Sequence, residues 1–221
     1  MPISGYLLTC ALGYLLGSIP TGYLLAKAKG VDIRTVGSGN IGATNVFRYL
    51  GKPAGIAVLL IDAAKGFIAV TVIARILIPR VFHVHDETIR EWLSICGGIS
   101  AVLGHNYTCW LRFKGGKGIA TSAGVLVALV PWSLLIILTI WILVFAFTRY
   151  VSLGSLCAAF ALPFAAWATG ESRLIIVFTA ILGVLAIYKH KANIQRLLKG
   201  TESRIALRKP ATPETSPSHS K

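Results

Sequence analysis

Two glycine-dense segments carry the residue types needed to hold a phosphate. The first is Gly37-Ser38-Gly39-Asn40-Ile41-Gly42-Ala43-Thr44-Asn45, with Arg48 just beyond, and the second is Lys114-Gly115-Gly116-Lys117-Gly118. Glycine lets neighbouring backbone N–H groups converge on one point, and adjacent Lys or Arg adds positive charge. Neither segment contains an acidic residue. Ser38, Asn40, Thr44 and Asn45 add more side-chain donors than a flexible connector needs. A helix starting at Ala43 would set Asn45 and Arg48 one turn apart near its N-terminus, where an anion is favoured. A third polar group, His190, Asn193, Arg196, Gly200 and Glu202, follows the last apolar stretch. Its first three members are spaced i, i+3, i+6 and would share a helix face, although a basic helix binding anionic lipid heads is the plainer alternative.

Other chemistries fit less well. Gly37, Gly39 and Gly42 match GxGxxG with Asp62 further on, but a dinucleotide fold needs a buried strand before the motif and a βαβ unit around it. Here an apolar helix precedes the motif, and Asp62 falls inside the next apolar stretch. The second segment resembles half a P-loop, without the GxxxxGK[ST] spacing or an acid for Mg²⁺, so nucleotide hydrolysis is not expected. No GxSxG elbow or Ser-His-Asp order points to an acyl-enzyme. His83, His85 and Asp86 form an HxHD that could ligate a metal, but they lie across the membrane from the other polar groups; no metal and no cofactor are expected. The 4 cysteines include no CxxC pair and read as small apolar residues.

The elements that must position these groups are membrane helices. Of the 221 residues, 55% are hydrophobic and 14% charged, and the mean hydropathy is +0.71; soluble domains are more polar. The net charge of +14 comes without zinc spacing or aromatic-basic interleaving, so nucleic acid is not an expected partner. Apolar stretches run over about 3–26, 55–78 and 92–110. Two longer stretches divide, at Pro131 and at the polar turn Thr169-Gly170-Glu171-Ser172-Arg173. The expectation is an all-α integral membrane protein with seven transmembrane helices, some short; five spans result if neither later break reverses the chain. Most of the 22 Lys and Arg fall in alternate loops and the C-terminal segment. The positive-inside rule then puts the N-terminus outside and the C-terminus in the cytoplasm, with both glycine segments on the cytoplasmic face. Residues 1–204 form the membrane domain, and 205–221, rich in Pro, Ser and Thr towards its end, reads as a disordered tail. Within or near the spans, Asp62 and Lys65 read as a structural ion pair, and Ser152 and Ser155 lie near a turn.

Three blocks in order, GSGNIGATNVFR (37–48), GHNYTCWLRFKGGKG (104–118) and HKANIQRLLKGTE (190–202), resemble the bacterial acyl-phosphate:glycerol-3-phosphate acyltransferase family. The similarity runs to about Arg204. Ile41 stands where the family commonly has Pro, and no functional group is lost. The resemblance implies a seven-helix enzyme of the bacterial inner membrane with its active site on the cytoplasmic face. It would acylate position 1 of glycerol-3-phosphate from an acyl-phosphate, without metal or cofactor, giving lysophosphatidic acid and phosphate; its partners are these substrates and membrane lipid. The catalytic candidates are then Ser38, Asn40, His190 and Asn193. Substrate and phosphate contacts are expected from Gly37, Gly39, Gly42, Thr44, Asn45 and Arg48; from Lys114, Gly115, Gly116, Lys117 and Gly118; and from Ser155, Arg196 and Glu202. His190 is one candidate for the base, and a substrate phosphate is the other, which the resemblance favours. The main alternative function is a small membrane carrier for organic phosphates or anionic lipids, though no repeated halves support it.

Overall fold

A computed structural model describes residues 1–205, so all but Ile205 of the expected tail lies outside the described residues. Among the described residues every regular element is helical: α1 (Ile3–Ser18), α2 (Thr21–Ala28), α3 (Ala43–Leu50) and α4 (Lys52–Ile68), which continues through a π-helical segment (Ala69–Leu77) into α5 (Ile78–Val81). They continue with α6 (Glu87–Asn106), a 3₁₀ turn (Cys109–Leu111), α7 (Ile119–Leu129), α8 (Pro131–Thr148), α9 (Val151–Ala168), α10 (Arg173–Lys189) and α11 (Lys191–Leu198).

Both expected late breaks are present. Pro131 opens α8 and cannot continue the hydrogen-bond ladder of α7, while Ser172 caps α10 by accepting from the Ile175 N–H at 3.2 Å. The first apolar stretch, expected unbroken, is interrupted between α1 and α2 at Pro20. Among the described residues, four helical stretches are long and apolar enough to cross a bilayer: Ile3–Ala28, Lys52–Val81, Pro131–Thr148 and Val151–Ala168. The α10–α11 pair, bent by 58°, adds a fifth if it counts as one span. Of the remaining expected spans, α6 is less apolar because it carries Glu87, Arg90, Glu91 and His105. Helix α7 has 11 residues, a length of roughly 16 Å against a hydrocarbon core of about 30 Å.

Helix α1 packs on α6, α4 on α7, and α9 against both α8 and α10. Val70, Val102, Val125, Leu162 and Phe178 share one buried cluster among these helices. Lipid tails give apolar side chains no reason to prefer protein, so close backbone approach carries much of this packing. At Gly17 the approach is so close that a Cβ would overlap the Ala101 carbonyl of α6. Large apolar side chains such as Leu135, Ile142 and Phe147 stay exposed on α8, as a lipid-facing surface requires.

Asp62 and Lys65 are the structural pair the sequence suggested, 2.6 Å apart and nearly fully buried. The Lys65 ammonium also donates to the Ile19 carbonyl at 2.7 Å. The Ile19 carbonyl also accepts from the Thr21 N–H at 3.0 Å, so the buried pair is tied to the backbone at the Pro20 break. On the opposite end of the bundle, Asp86 caps α6, accepting from Thr88 N–H at 2.8 Å. Among the described residues no group of three or more His, Cys, Asp or Glu gathers as a metal site.

Candidate active site

The first glycine segment is shaped from within by Asn45, which is 2% exposed. Its amide nitrogen donates to the carbonyls of Ile33 (3.2 Å), Val36 (3.1 Å) and Asn40 (3.0 Å), while its oxygen accepts from the Ser38 N–H at 3.2 Å. The Asn40 carboxamide oxygen accepts from Gly42 N–H at 2.8 Å, an Asx turn that delivers the chain into α3. Asn45 therefore holds the loop rather than projecting donors from it, whereas Asn40 uses only its oxygen and leaves its NH₂ without a hydrogen-bond partner among the described residues. Gly37 and Gly39 have φ of 57° and 66°, and Gly42 is the N-cap of α3. The hydroxyls of Ser38 and Thr44 make no hydrogen bond among the described residues. Arg48, exposed on α3, donates to the Ser203 carbonyl at 2.9 Å and so joins the first segment to the third.

The second segment differs from the expected cradle in one respect. Gly115 N–H donates to the Asn106 carbonyl at 3.2 Å and Gly116 N–H to the His105 carbonyl at 3.0 Å. These two amides cap the end of α6 and are not presented to a ligand. The glycines serve close packing instead: a Cβ on Gly116 would overlap the His105 ring. Gly118, at φ 80°, then turns the chain into the first turn of α7, whose leading N–H groups have no intrahelical acceptor. Lys114 is exposed and makes no side-chain hydrogen bond or ion pair among the described residues.

Lys117 is the side chain that crosses to the third segment, where its ammonium donates to the Asn193 carboxamide oxygen. Asn193 passes the link on, its nitrogen donating to Glu202 Oε1 at 2.6 Å. Arg196 Nε donates to Glu202 Oε2 at 2.6 Å, and the Ser152 hydroxyl donates to Oε1 at 2.7 Å. Glu202 thus gathers α9, α11 and the segment after α11 around a carboxylate that is 7% exposed. Burial works to raise this carboxyl, and the hydrogen bonds from Ser152, Asn193 and Arg196 outweigh it, holding it below its usual range. Burial pulls Lys117 down to about 8, with Arg196, Arg48 and Lys189 adding to the effect and Glu202 opposing it.

His190 is not on the face of one continuous helix with Asn193 and Arg196. It stands at the junction of α10 and α11, where the chain bends by 58°, and its ring is buried. Nδ1 lies 2.8 Å from the Ala186 carbonyl. A carbonyl only accepts, so Nδ1 carries the proton and Nε2 of the neutral ring is the acceptor. Burial lowers the imidazole to about 4, helped by Lys117.

Ser155 does not join this cluster. Its hydroxyl donates to the Val151 carbonyl at 2.9 Å and accepts from Trp141 Nε1 at 3.3 Å. Ser152, nearer the α8–α9 turn, meets Glu202 instead; that proximity to the turn was the available signal. Lys189, also outside the sequence-based set, donates to the Asn106 carbonyl at 2.9 Å and stacks 4.3 Å from the Tyr107 ring. The arrangement concentrates Arg48, Lys117, Lys189 and Arg196 around a single buried acid, a surplus of positive charge suited to a phosphorylated ligand.

Known proteins share this pattern across nearly the whole chain. The family model described as glycerol-3-phosphate acyltransferase matches residues 7–200. A glycerol-3-phosphate acyltransferase of Geobacter sulfurreducens is 48% identical over 199 residues, covering 90% of this chain and 97% of the relative. One from Endomicrobium trichonymphae is 46% identical over 195 residues, covering 88% and 92%. The crystal structure of PlsY (YgiH), an integral membrane glycerol 3-phosphate acyltransferase, in its glycerol 3-phosphate form, matches with a TM-score of 0.80 and 41% identity, over 91% of this chain and 96% of that one. Its lysophosphatidic acid form matches with a TM-score of 0.78 and 40% identity, over 91% and 95%. The chain belongs to the glycerol-3-phosphate acyltransferase family.

Proposed function

We propose that the chain transfers an acyl group from an acyl-phosphate to the 1-hydroxyl of glycerol-3-phosphate, at the cytoplasmic face of the bacterial inner membrane. Membership of the acyltransferase family supports the reaction class, and the related structures in glycerol 3-phosphate and lysophosphatidic acid forms support this acceptor and product. One observation carries the reading: Lys117, Asn193 and Glu202 form a continuous hydrogen-bonded path between the second and third segments, and Arg48 ties in the first. All three segments belong together if α1–α2, α4, α6, α7, α8, α9 and α10 are seven spans with the N-terminus outside. The loop cations then lie on the cytoplasmic side, in keeping with the positive-inside rule.

The reaction brings two phosphate groups together, and the charges of Arg48, Lys117 and Arg196, with the leading N–H groups of α3 and α7, offset their repulsion. The glycerol oxygen attacks the acyl carbonyl carbon, and a carbon–oxygen bond forms. The bond from that carbon to the phosphate oxygen breaks, and phosphate leaves with the electron pair. The hydroxyl proton passes to a phosphate oxygen. A base works best with a pKa near the operating pH. His190, held down at about 4, is poorly matched, whereas a phosphate monoester with a second pKa of about 6 is well matched. His190 Nε2 instead accepts from the hydroxyl and aims it. The Ser38 and Thr44 hydroxyls and the Asn40 NH₂ serve as substrate donors, and Asn45 keeps the loop that carries them. Positive side chains supply the electrostatic stabilisation, so no metal or cofactor enters the scheme.

The test is phosphate release and lysophosphatidic acid formation by purified protein given acyl-phosphate and glycerol-3-phosphate, against Lys117→Ala. Equal release by both proteins would count against the proposal and favour a carrier of organic phosphates.

A further inference from the structure

At the end of the bundle remote from the active site, the π-helical segment and α5 meet the start of α6 around a cavity of about 420 Å³. Arg75, Arg80 and Arg90 line it together with His83 and His85, and no acidic residue does. Arg75 reaches this position from inside the second long helix. Its Nε donates to the Ser94 hydroxyl at 3.3 Å and its Nη1 to the Ala128 carbonyl at 3.1 Å. Ala128 belongs to the last turn of the short α7, so Arg75 caps a helix that ends well before the bilayer does.

A second cavity of about 420 Å³ shares Arg75 and Arg90 and contains Glu87, Glu91 and Glu171. The acids are therefore gathered on one side of the two arginines, with Glu87 lying 3.6 Å from Arg90. Arg80, His83 and His85, on the other side, make no side-chain hydrogen bond or ion pair among the described residues. Ile76, which lines the cavity, and its neighbours along the chain Leu77 and Val81 are 45%, 44% and 56% exposed. A pocket that holds Arg75 and Arg80 with no acid in its own lining, next to an exposed apolar wall, suits a ligand with an anionic head and a hydrocarbon body. A free phosphate would have no use for the wall.

We propose that this cavity binds the phosphate head of an anionic phospholipid, with its acyl chains lying along Ile76, Leu77 and Val81. With the N-terminus outside, the lipid belongs to the outer leaflet; the site itself does not depend on that orientation, nor on the acyl donor.

Purified protein in detergent is titrated with phosphatidylglycerol or phosphatidylcholine, and retained lipid is read by native mass spectrometry. Phosphatidylglycerol is expected to be retained in preference to phosphatidylcholine. Its affinity should fall about fivefold in Arg80→Gln and about thirtyfold in Arg80→Glu, the effect of one and two unit charges near a membrane surface. Acyl transfer by both variants should be unchanged, and Lys117→Ala should retain the lipid as the parent protein does. Equal retention by the parent and both Arg80 variants would overturn the proposal. Loss of lipid in Lys117→Ala would also overturn it by moving the lipid to the active site. Displacement by millimolar inorganic phosphate would replace the lipid with a free anion, and the Arg80→Gln variant decides the matter should Arg80→Glu not fold.

Discussion

Glu202→Gln keeps the shape of the side chain and removes the charge that Ser152, Asn193 and Arg196 all address. Oε1 accepts from Ser152 and Asn193 at 2.7 and 2.6 Å, and Oε2 from Arg196 at 2.6 Å. A glutamine has one acceptor oxygen. If that oxygen takes the Oε1 position, its NH₂ faces the Arg196 guanidinium; if it takes the Oε2 position, Ser152 and Asn193 both lose their acceptor. Hydrogen bonds to a charged group are worth about 1.5–3 kcal/mol each, and Arg196, with 36% of its side chain exposed, belongs at the low end through solvent screening. A loss of about 2–3 kcal/mol of positioning energy is therefore expected, or roughly a 30- to 150-fold fall in kcat/KM. Phosphate release with varied glycerol-3-phosphate measures it. Ser152→Ala should cost less, and combining the two should be less than additive because one orientation of the glutamine already abandons Ser152. Full activity in Glu202→Gln would refute the reasoning, since the path from Lys117 to the third segment would then not need its carboxylate.

The ammonium of Lys117 is present below about pH 8 and is lost as pH rises through that value, so kcat/KM should decline on an alkaline limb near pH 8. Lys117→Arg should move that limb upward, as a pH profile of the free enzyme will report, and Lys117→Ala should lower kcat/KM by about 10²–10³-fold. His190→Asn should retain substantial turnover, losing about tenfold for one acceptor. A loss beyond about 10³-fold with disappearance of an acidic limb would instead make His190 the general base. Gly116→Ala forces a methyl against the His105 ring and should cost about 1–3 kcal/mol of stability, measured by unfolding in detergent.

The polar segments and helix breaks were legible because their causes are local. Pro131 and the Thr169–Ser172 turn interrupt any helix, and Ala43 follows a glycine N-cap, so the start of α3 could be read directly. The break at Pro20 is harder to read because Ser18 and Thr21 beside it carry no charge and apolar residues resume within a few positions on either side. How the three polar segments are wired together was less legible than where they lie. Asn45 looks like a ligand donor by residue type, and only the fold shows its amide spent on four groups of its own loop. Gly115 and Gly116 likewise look like anion donors until α6 is seen to end beside them. Ser152 and Ser155 both lie near the α8–α9 turn, and the family resemblance pointed to Ser155. Proximity to the turn favours Ser152, but its meeting with Glu202, fifty residues later, also depends on the rotation of α9, which no local pattern encodes.

The last residues of the candidate site come after α11. Glu202 organises Asn193 and Arg196, Ser203 receives Arg48, and Ile205 N–H closes on the Arg149 carbonyl at 3.1 Å. During synthesis every apolar helix can enter the bilayer before any of these three has left the ribosome, so a nascent chain would be inserted yet inert. A protease that trimmed the polypeptide just past α11 would return the enzyme to that unfinished condition while leaving its helices in the lipid.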